Sequence, residues 1–253
     1  GGYVDKFIGD AVMAVWGAPI RSDDHGKNAI AAAINYHRAV DSLNEKLKNF
    51  DSSSYDPNIF NELTSNRSVN RVASRQIVGQ IAARVGVHSG EAIVGNIGSS
   101  KRHNYTAIGD TVNLASRLEG IGKQYHCNLI ISEETVNLLL SDEVILANLL
   151  LIDQIRVKGK KTATKIYTTL YTDNSPLPSE LQLRQLKELY YNAFVLYQKQ
   201  EFHPALQALT DFNKSASLLN FGPALVLKER IEDILKNGIP NNYENGVWSF
   251  YEK

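Results

Sequence analysis

An amide and a guanidinium one helical turn apart, Asn113 and Arg117, are the side chains of this 253-residue sequence whose types and spacing best suit chemistry. They fall in the stretch from Arg102 to Arg117, which starts as a β-type segment over Tyr105 to Ile108 and breaks at Gly109. It restarts as a helix with Asp110 as its expected N-cap. Residues four apart on a helix project from one face. A cationic donor fork beside an amide suits a phosphorylated ligand. A solvated surface also carries such pairs, so this one acquires meaning only from its company.

That company includes Asp10, in the Gly9-Asp10 turn between two β-like runs, Val4 to Ile8 and Ala11 to Trp16. An aspartate in a turn ordinarily bonds nearby backbone; the same carboxylate can serve a divalent cation, because hard ions prefer oxygen ligands. A basic turn, Lys158-Gly159-Lys160-Lys161, separates two later strands and reads either as solvated surface or as a phosphate contact. The glycines in Gly95-Asn96-Ile97-Gly98-Ser99 follow neither the Walker spacing nor the dinucleotide fingerprint, and turn chemistry accounts for them.

The elements that position these residues can be read in order. After the first hairpin, Asp23 and Asp24 are expected to start a helix that buries Ile30, Ala33, Ile34, His37, Val40, Leu43 and Leu47 at helical spacing. Residues 49–76 turn polar and aperiodic, an insertion without assigned chemistry. Ile81 to His88 and Glu91 to Ile97 read as a strand and a return strand about Ser89-Gly90. The helix carrying Asn113 and Arg117 ends near Gly120-Ile121-Gly122. A strand over Cys127 to Ile131, a short helix from Ser132 to Leu140, and strands near Leu150 to Val157 and Thr164 to Tyr171 follow. Residues 172–179 have linker composition. Leu181 to about Leu235 is helical, and Tyr190, Ala193, Phe194, Tyr197, Phe202, Ala205 and Leu209 approximate one tetratricopeptide-like helix pair. Such a unit cannot bury its own face alone, and Trp248, Phe250 and Tyr251 in the tail suit a docking strand or loop.

Composition narrows the function class. Twenty-seven Lys and Arg balance 27 Asp and Glu, so no global field recruits nucleic acid or an anionic membrane. The single cysteine, Cys127, excludes an internal disulfide and fits a reducing, cytoplasmic compartment. No apolar run approaches the roughly 18 residues of a membrane span.

The stretch Arg102–Arg117, together with Lys6-Phe7-Ile8-Gly9-Asp10-Ala11-Val12-Met13-Ala14 upstream, resembles the catalytic domain of the class III nucleotide cyclases, most nearly bacterial adenylate cyclases. The resemblance implies an α+β fold, a ferredoxin-like βαββαβ sandwich with a mixed or antiparallel sheet, over residues 1–171, with a helical extension over 180–253. It implies conversion of ATP to cyclic AMP and pyrophosphate, assisted by two Mg²⁺ or Mn²⁺ ions per site. On the matching positions, Asp10 becomes a metal ligand, Asn113 orients the ribose and Arg117 stabilises charge at the α-phosphate. Lys158 and Arg102 become triphosphate contacts.

Lys6 and Thr106 take the base-reading positions. A donor-only lysine beside a hydroxyl that can accept complements adenine, with its acceptor N1 and amino N6, rather than guanine. In the family the site lies between two catalytic domains, so a head-to-tail homodimer with shared sites is expected. The family's first metal aspartate lies upstream of the point where this sequence starts. The chain is therefore expected to be an inactive piece of a longer enzyme, with a sensor or membrane domain upstream among the partners to look for. A guanylate cyclase and a non-catalytic cyclase-like regulatory module remain the alternatives.

Overall fold

A computed structural model describes residues 1–48, 81–99, 102–139, 142–169, 179–216 and 221–250. The polar insertion 49–76 and the linker residues 172–178 lie outside the described residues. The chain divides into two units, Gly1–Ile34 with Arg84–Lys253, and Asn35–Ala83. The architecture of the first is mixed α and β.

Strands β1 (Tyr3–Ile8) and β2 (Ala11–Val15) form an antiparallel ribbon closed by Gly9-Asp10. Gly9 sits at φ 65°, a left-handed conformation that glycine adopts without a β-carbon penalty. The register is not regular: Val4 faces Ala14 and Lys6 faces Met13, so Asp5 is the extra residue of a bulge. A second ribbon joins β4 (Ile93–Ser99) and β5 (Arg102–Ile108) in continuous antiparallel register. Here the structure corrects the sequence expectation for the Ser89-Gly90 hairpin. β3 (Val85–Val87) does not pair with β4 but runs parallel to β6 (Leu129–Ser132). Val87, Leu129 and Ile131 gain a shared core there with Ala29, Ile30 and Ala33. That burial outweighs the local turn signal.

Those three alanine and isoleucine residues belong to α1 (His25–Lys48), whose C-terminal half lies in the second unit. Within that unit His37 is buried as expected, but Leu43 is 43% exposed. Asn44 takes the inward position instead, because its amide exchanges hydrogen bonds of 2.9 and 2.8 Å with the Ile81 backbone. These two hydrogen bonds offset the cost of burying the Asn44 amide, so a polar side chain can hold the inward position.

The main sheet of the first unit has six strands in the order β3-β6-β8-β7-β10-β9. β7 (Leu149–Arg156) and β8 (Thr164–Thr169) form an antiparallel hairpin at its centre. Between β6 and β7 the chain passes through α3 (Glu133–Val136) and α4 (Glu143–Asn148). The helix α2 (Asp110–Gln124) buries Leu114, Leu118 and Ile121 in a core that also takes in Ile152, Ile155 and Ile166 of the sheet.

The same core continues into the C-terminal helices α5 (Glu180–Gln198), α6 (Phe202–Ser215) and α7 (Gly222–Asn237). Tyr190, Ala193, Phe194, Tyr197, Ala205 and Leu209 are all buried, with the Tyr190 and Phe212 rings 5.5 Å apart. The tail then folds as β9 (Tyr243–Glu244) and β10 (Val247–Ser249), and β10 joins β7 in parallel, Trp248 opposite Ile155. Arg230 of α7 and Asp153 of β7, 9% and 1% exposed in their side chains, form a buried ion pair. The Tyr125 hydroxyl, just past α2, donates to Asp153 and accepts from Arg230 at 2.8 Å. Burial pushes the Tyr125 phenol well above its ordinary range, so it stays a neutral member of the cluster. The Arg230 guanidinium also lies 4.2 Å from the Trp248 ring centre.

Packing of α2 on β3 is close enough to test. A β-carbon at Gly86 would lie 2.3 Å from the Ala115 carbonyl oxygen and 2.4 Å from the Glu119 nitrogen, both helix backbone. Gly86→Ala is therefore expected to force strand and helix apart and cost about 1–3 kcal/mol, read as a lower urea midpoint. Among the described residues, no helix is long and apolar enough to cross a membrane.

Candidate active site

The first cluster sits where β1 meets β5. Lys6 Nζ donates to Thr106 Oγ1 at 2.9 Å, so the two expected base-reading residues are in direct contact although 100 residues apart. Thr106 is buried, and its hydroxyl in turn donates to Asp5 Oδ2 at 2.5 Å. The Asp5 side chain is 1% exposed and lies 3.7 Å from Lys6 Nζ. Tyr3 and Tyr105, with ring centres 5.6 Å apart, hold the two strands together beside them. Asp5 was not among the sequence candidates, since strand alternation sends neighbours to opposite faces. The bulge is what lets Asp5 and Lys6 both reach Thr106.

The second cluster joins α2 to the β7–β8 turn. Gly109, at φ 146°, occupies the N-cap position of α2, and no side chain caps the helix. This corrects the expectation for Asp110, which is instead the first helical residue. Its carboxylate is committed elsewhere, to an ion pair with Lys160. That bond holds the Asp110 carboxyl below the usual range. The Arg117 guanidinium donates to the Lys158 carbonyl oxygen, so the predicted arginine and the predicted phosphate-binding lysine share one corner. Gly159 reverses the chain there at φ 80°. Asn113 stands exposed one turn before Arg117 on the same helix. His88, after β3, is hydrogen-bonded to Ser132 Oγ at 2.8 Å, and burial draws its imidazole pKa down, toward the neutral form.

Asp10 is exposed at the tip of the first ribbon. Among the described residues, no group of three or more His, Cys, Asp or Glu side chains converges to hold a metal ion. The exposed Asp10 carboxylate is a single oxygen donor, of the type that hard cations such as Mg²⁺ or Mn²⁺ take. Arg102 opens β5, its backbone opposite Ser99. The structure thus brings Lys6 to Thr106 and Arg117 to Lys158, whereas Asp10 stands at a separate turn.

Chemically, the first cluster sets a cationic donor beside a hydroxyl, and the second sets an amide and a guanidinium on one helix edge against a basic turn. The link between them is short, because Gly109 alone separates β5, which carries Thr106, from α2.

Residues 3–170 match the Adenylate and Guanylate cyclase catalytic domain. An adenylate cyclase of Anabaena cylindrica is 35% identical over 168 residues, covering 66% of this chain and 28% of that protein. The terminal-differentiation-specific adenylate cyclase of Dictyostelium discoideum is 29% identical over 235 residues, 91% of this chain and 9% of that protein. Since the domain match ends at residue 170, an alignment of that length extends into the C-terminal helices. Among solved structures, the guanylyl cyclase Cya2 shares 22% identity over 68% of this chain and 72% of its own, with a TM-score of 0.48. The chain spans 9–28% of the length of the two adenylate cyclases.

Proposed function

This chain belongs to the adenylate and guanylate cyclase catalytic domain family, and from that premise we propose that the protein containing it converts ATP to 3′,5′-cyclic AMP and pyrophosphate. The observation that carries the choice of ATP is the 2.9 Å contact between Lys6 and Thr106. It supports a site that offers a cationic donor to N1 and a hydroxyl acceptor to the 6-amino group.

In this reading Asn113 holds the ribose so that its 3′-hydroxyl faces the α-phosphorus, and Arg117 stabilises the negative charge that develops there. Lys158 and Arg102 bind the outgoing pyrophosphate portion. Positioning and charge stabilisation are what phosphoryl chemistry asks of a protein. Asp10 would hold divalent metal, which supplies charge neutralisation and activation of the attacking hydroxyl.

The two clusters are expected to act across a twofold axis, with the Lys6, Thr106 and Asp10 of one subunit completing the Asn113 and Arg117 of its twin. Exposed apolar side chains support such an interface. Val4, Phe7, Ile8 and Val12 on the first ribbon and Ile93 and Ile108 on the second are 46–75% exposed. Residues 1–171 are read as the catalytic domain, of ferredoxin-like βαββαβ type, and 180–253 as an extension whose first helix pair is of the tetratricopeptide type. A cytoplasmic setting, where ATP is abundant, fits both.

The test is a comparison of ATP with GTP in the full-length protein, with Mg²⁺ and with Mn²⁺. Cyclic AMP is expected as the main product, and ATP should be favoured in kcat/KM by at least a hundredfold, the scale on which a polar site rejects a mismatched donor pattern. Preferential formation of cyclic GMP would overturn the choice of base.

A further inference from the structure

We propose that Asp5 is a specificity-determining positioning residue: by accepting the Thr106 hydroxyl proton at the bulge of β1, it makes Thr106 an obligate acceptor and so admits 6-amino purines while rejecting 6-oxo purines. The inference rests on the nucleotide reading of this site and adds the group that fixes its polarity.

A threonine hydroxyl has one proton and two lone pairs. Left free it rotates, donating to one ligand and accepting from another, and by itself would not distinguish an amino from a carbonyl group. Here the proton has a fixed destination. The 2.5 Å contact with Asp5 Oδ2 is short and made to a carboxylate, whereas the other acceptor that the described residues offer it, the Ala107 carbonyl oxygen, is 3.4 Å away. A charge-assisted bond at that length outcompetes a long neutral one. One lone pair of Thr106 then faces Lys6 at 2.9 Å, and the other is left to accept from a ligand.

The setting preserves this arrangement. The Asp5 side chain is 1% exposed, so water does not compete for its oxygens, and Lys6 at 3.7 Å balances its charge. The bulge between Val4 and Lys6 brings consecutive residues to one neighbour, which regular alternation would forbid. An adenine amino group meets a lone pair at Thr106. A guanine O6 would meet the same lone pair, acceptor against acceptor, and its N1–H would meet the donor-only Lys6.

The experiment measures the ratio of kcat/KM for ATP to that for GTP in the full-length protein, wild type, Asp5→Ala and Asp5→Asn. In parallel, binding of N-methylanthraniloyl-ATP and N-methylanthraniloyl-GTP gives the same ratio without turnover. Asp5→Ala frees the Thr106 proton to serve a carbonyl, and the ATP:GTP ratio is expected to fall about tenfold, the value of one hydrogen bond. Asp5→Asn keeps an acceptor oxygen and should retain most of the preference. A residue that merely supports the fold would lower both nucleotides together. An unchanged ratio in Asp5→Ala, with wild type still favouring adenine, overturns the role of Asp5 and leaves the cyclase reading intact. A ratio shift seen in binding, with no turnover by any variant, supports the role of Asp5 and overturns the catalytic reading instead. A wild-type preference for guanine overturns both.

Discussion

Full-length protein carrying Asp10→Ala, mixed with protein carrying Arg117→Ala, is expected to regain cyclase activity that neither variant shows alone. Each substitution should lower kcat by about a hundredfold or more, the usual loss when one charge-stabilising group is taken from a preorganised site. Arg117 stands at the corner shared with Lys158, and Asp10 at the tip of a separate ribbon. If one subunit supplies the aspartate and its twin the arginine, a mixed dimer holds one site with both defects and one with neither. Random exchange makes half of the dimers mixed, so recovery should approach about a quarter of wild-type activity. Activity of the mixture no higher than the mean of the separate variants would sink the shared-site arrangement.

The second large effect concerns stability. Arg230→Leu removes the cation from Asp153 while leaving the carboxylate 1% exposed and the Tyr125 hydroxyl without its donor. Breaking a buried pair from one side typically costs about 3–5 kcal/mol, because the remaining charge has lost its compensation. Urea unfolding should show a midpoint well below wild type. The double variant Asp153→Leu with Arg230→Leu should recover much of the loss, since two apolar side chains leave no buried charge. A loss below about 1 kcal/mol in Arg230→Leu would show that the pair contributes little to holding the C-terminal helices on the sheet.

These two predictions differ in how far they could be read from the residues. Lys6 with Thr106, and Arg117 with the Lys158 turn, stand together at positions that the family resemblance had grouped, and the nucleotide roles proposed for them rest on that resemblance. Asp5 was not legible, since a bulge changes facing without leaving a mark in a six-residue strand. Asp153 and Arg230 were equally hidden. They lie 77 residues apart, on a strand and a helix, and nothing local marks either charge as buried. The β3–β4 hairpin was misread because turn residues report on the next few positions only, whereas β3 finds its partner, Leu129 to Ile131, more than 40 residues on. In α1 the apolar spacing gave the inward face through His37, and failed at Leu43, where Asn44 answers to the Ile81 backbone.

The outer strands of the six-stranded sheet are short, three residues in β3 and two in β9. A stub of that length presents too few free backbone groups to nucleate pairing with another molecule, so the largest sheet offers little foothold for fibre growth. Uncovered apolar side chains, Phe7, Ile8 and Ile93, stand instead on the two ribbons, whose strands run to five to seven residues. The fold thus discourages indiscriminate stacking at one place and keeps its bare apolar surface at another, the face assigned above to the proposed dimer.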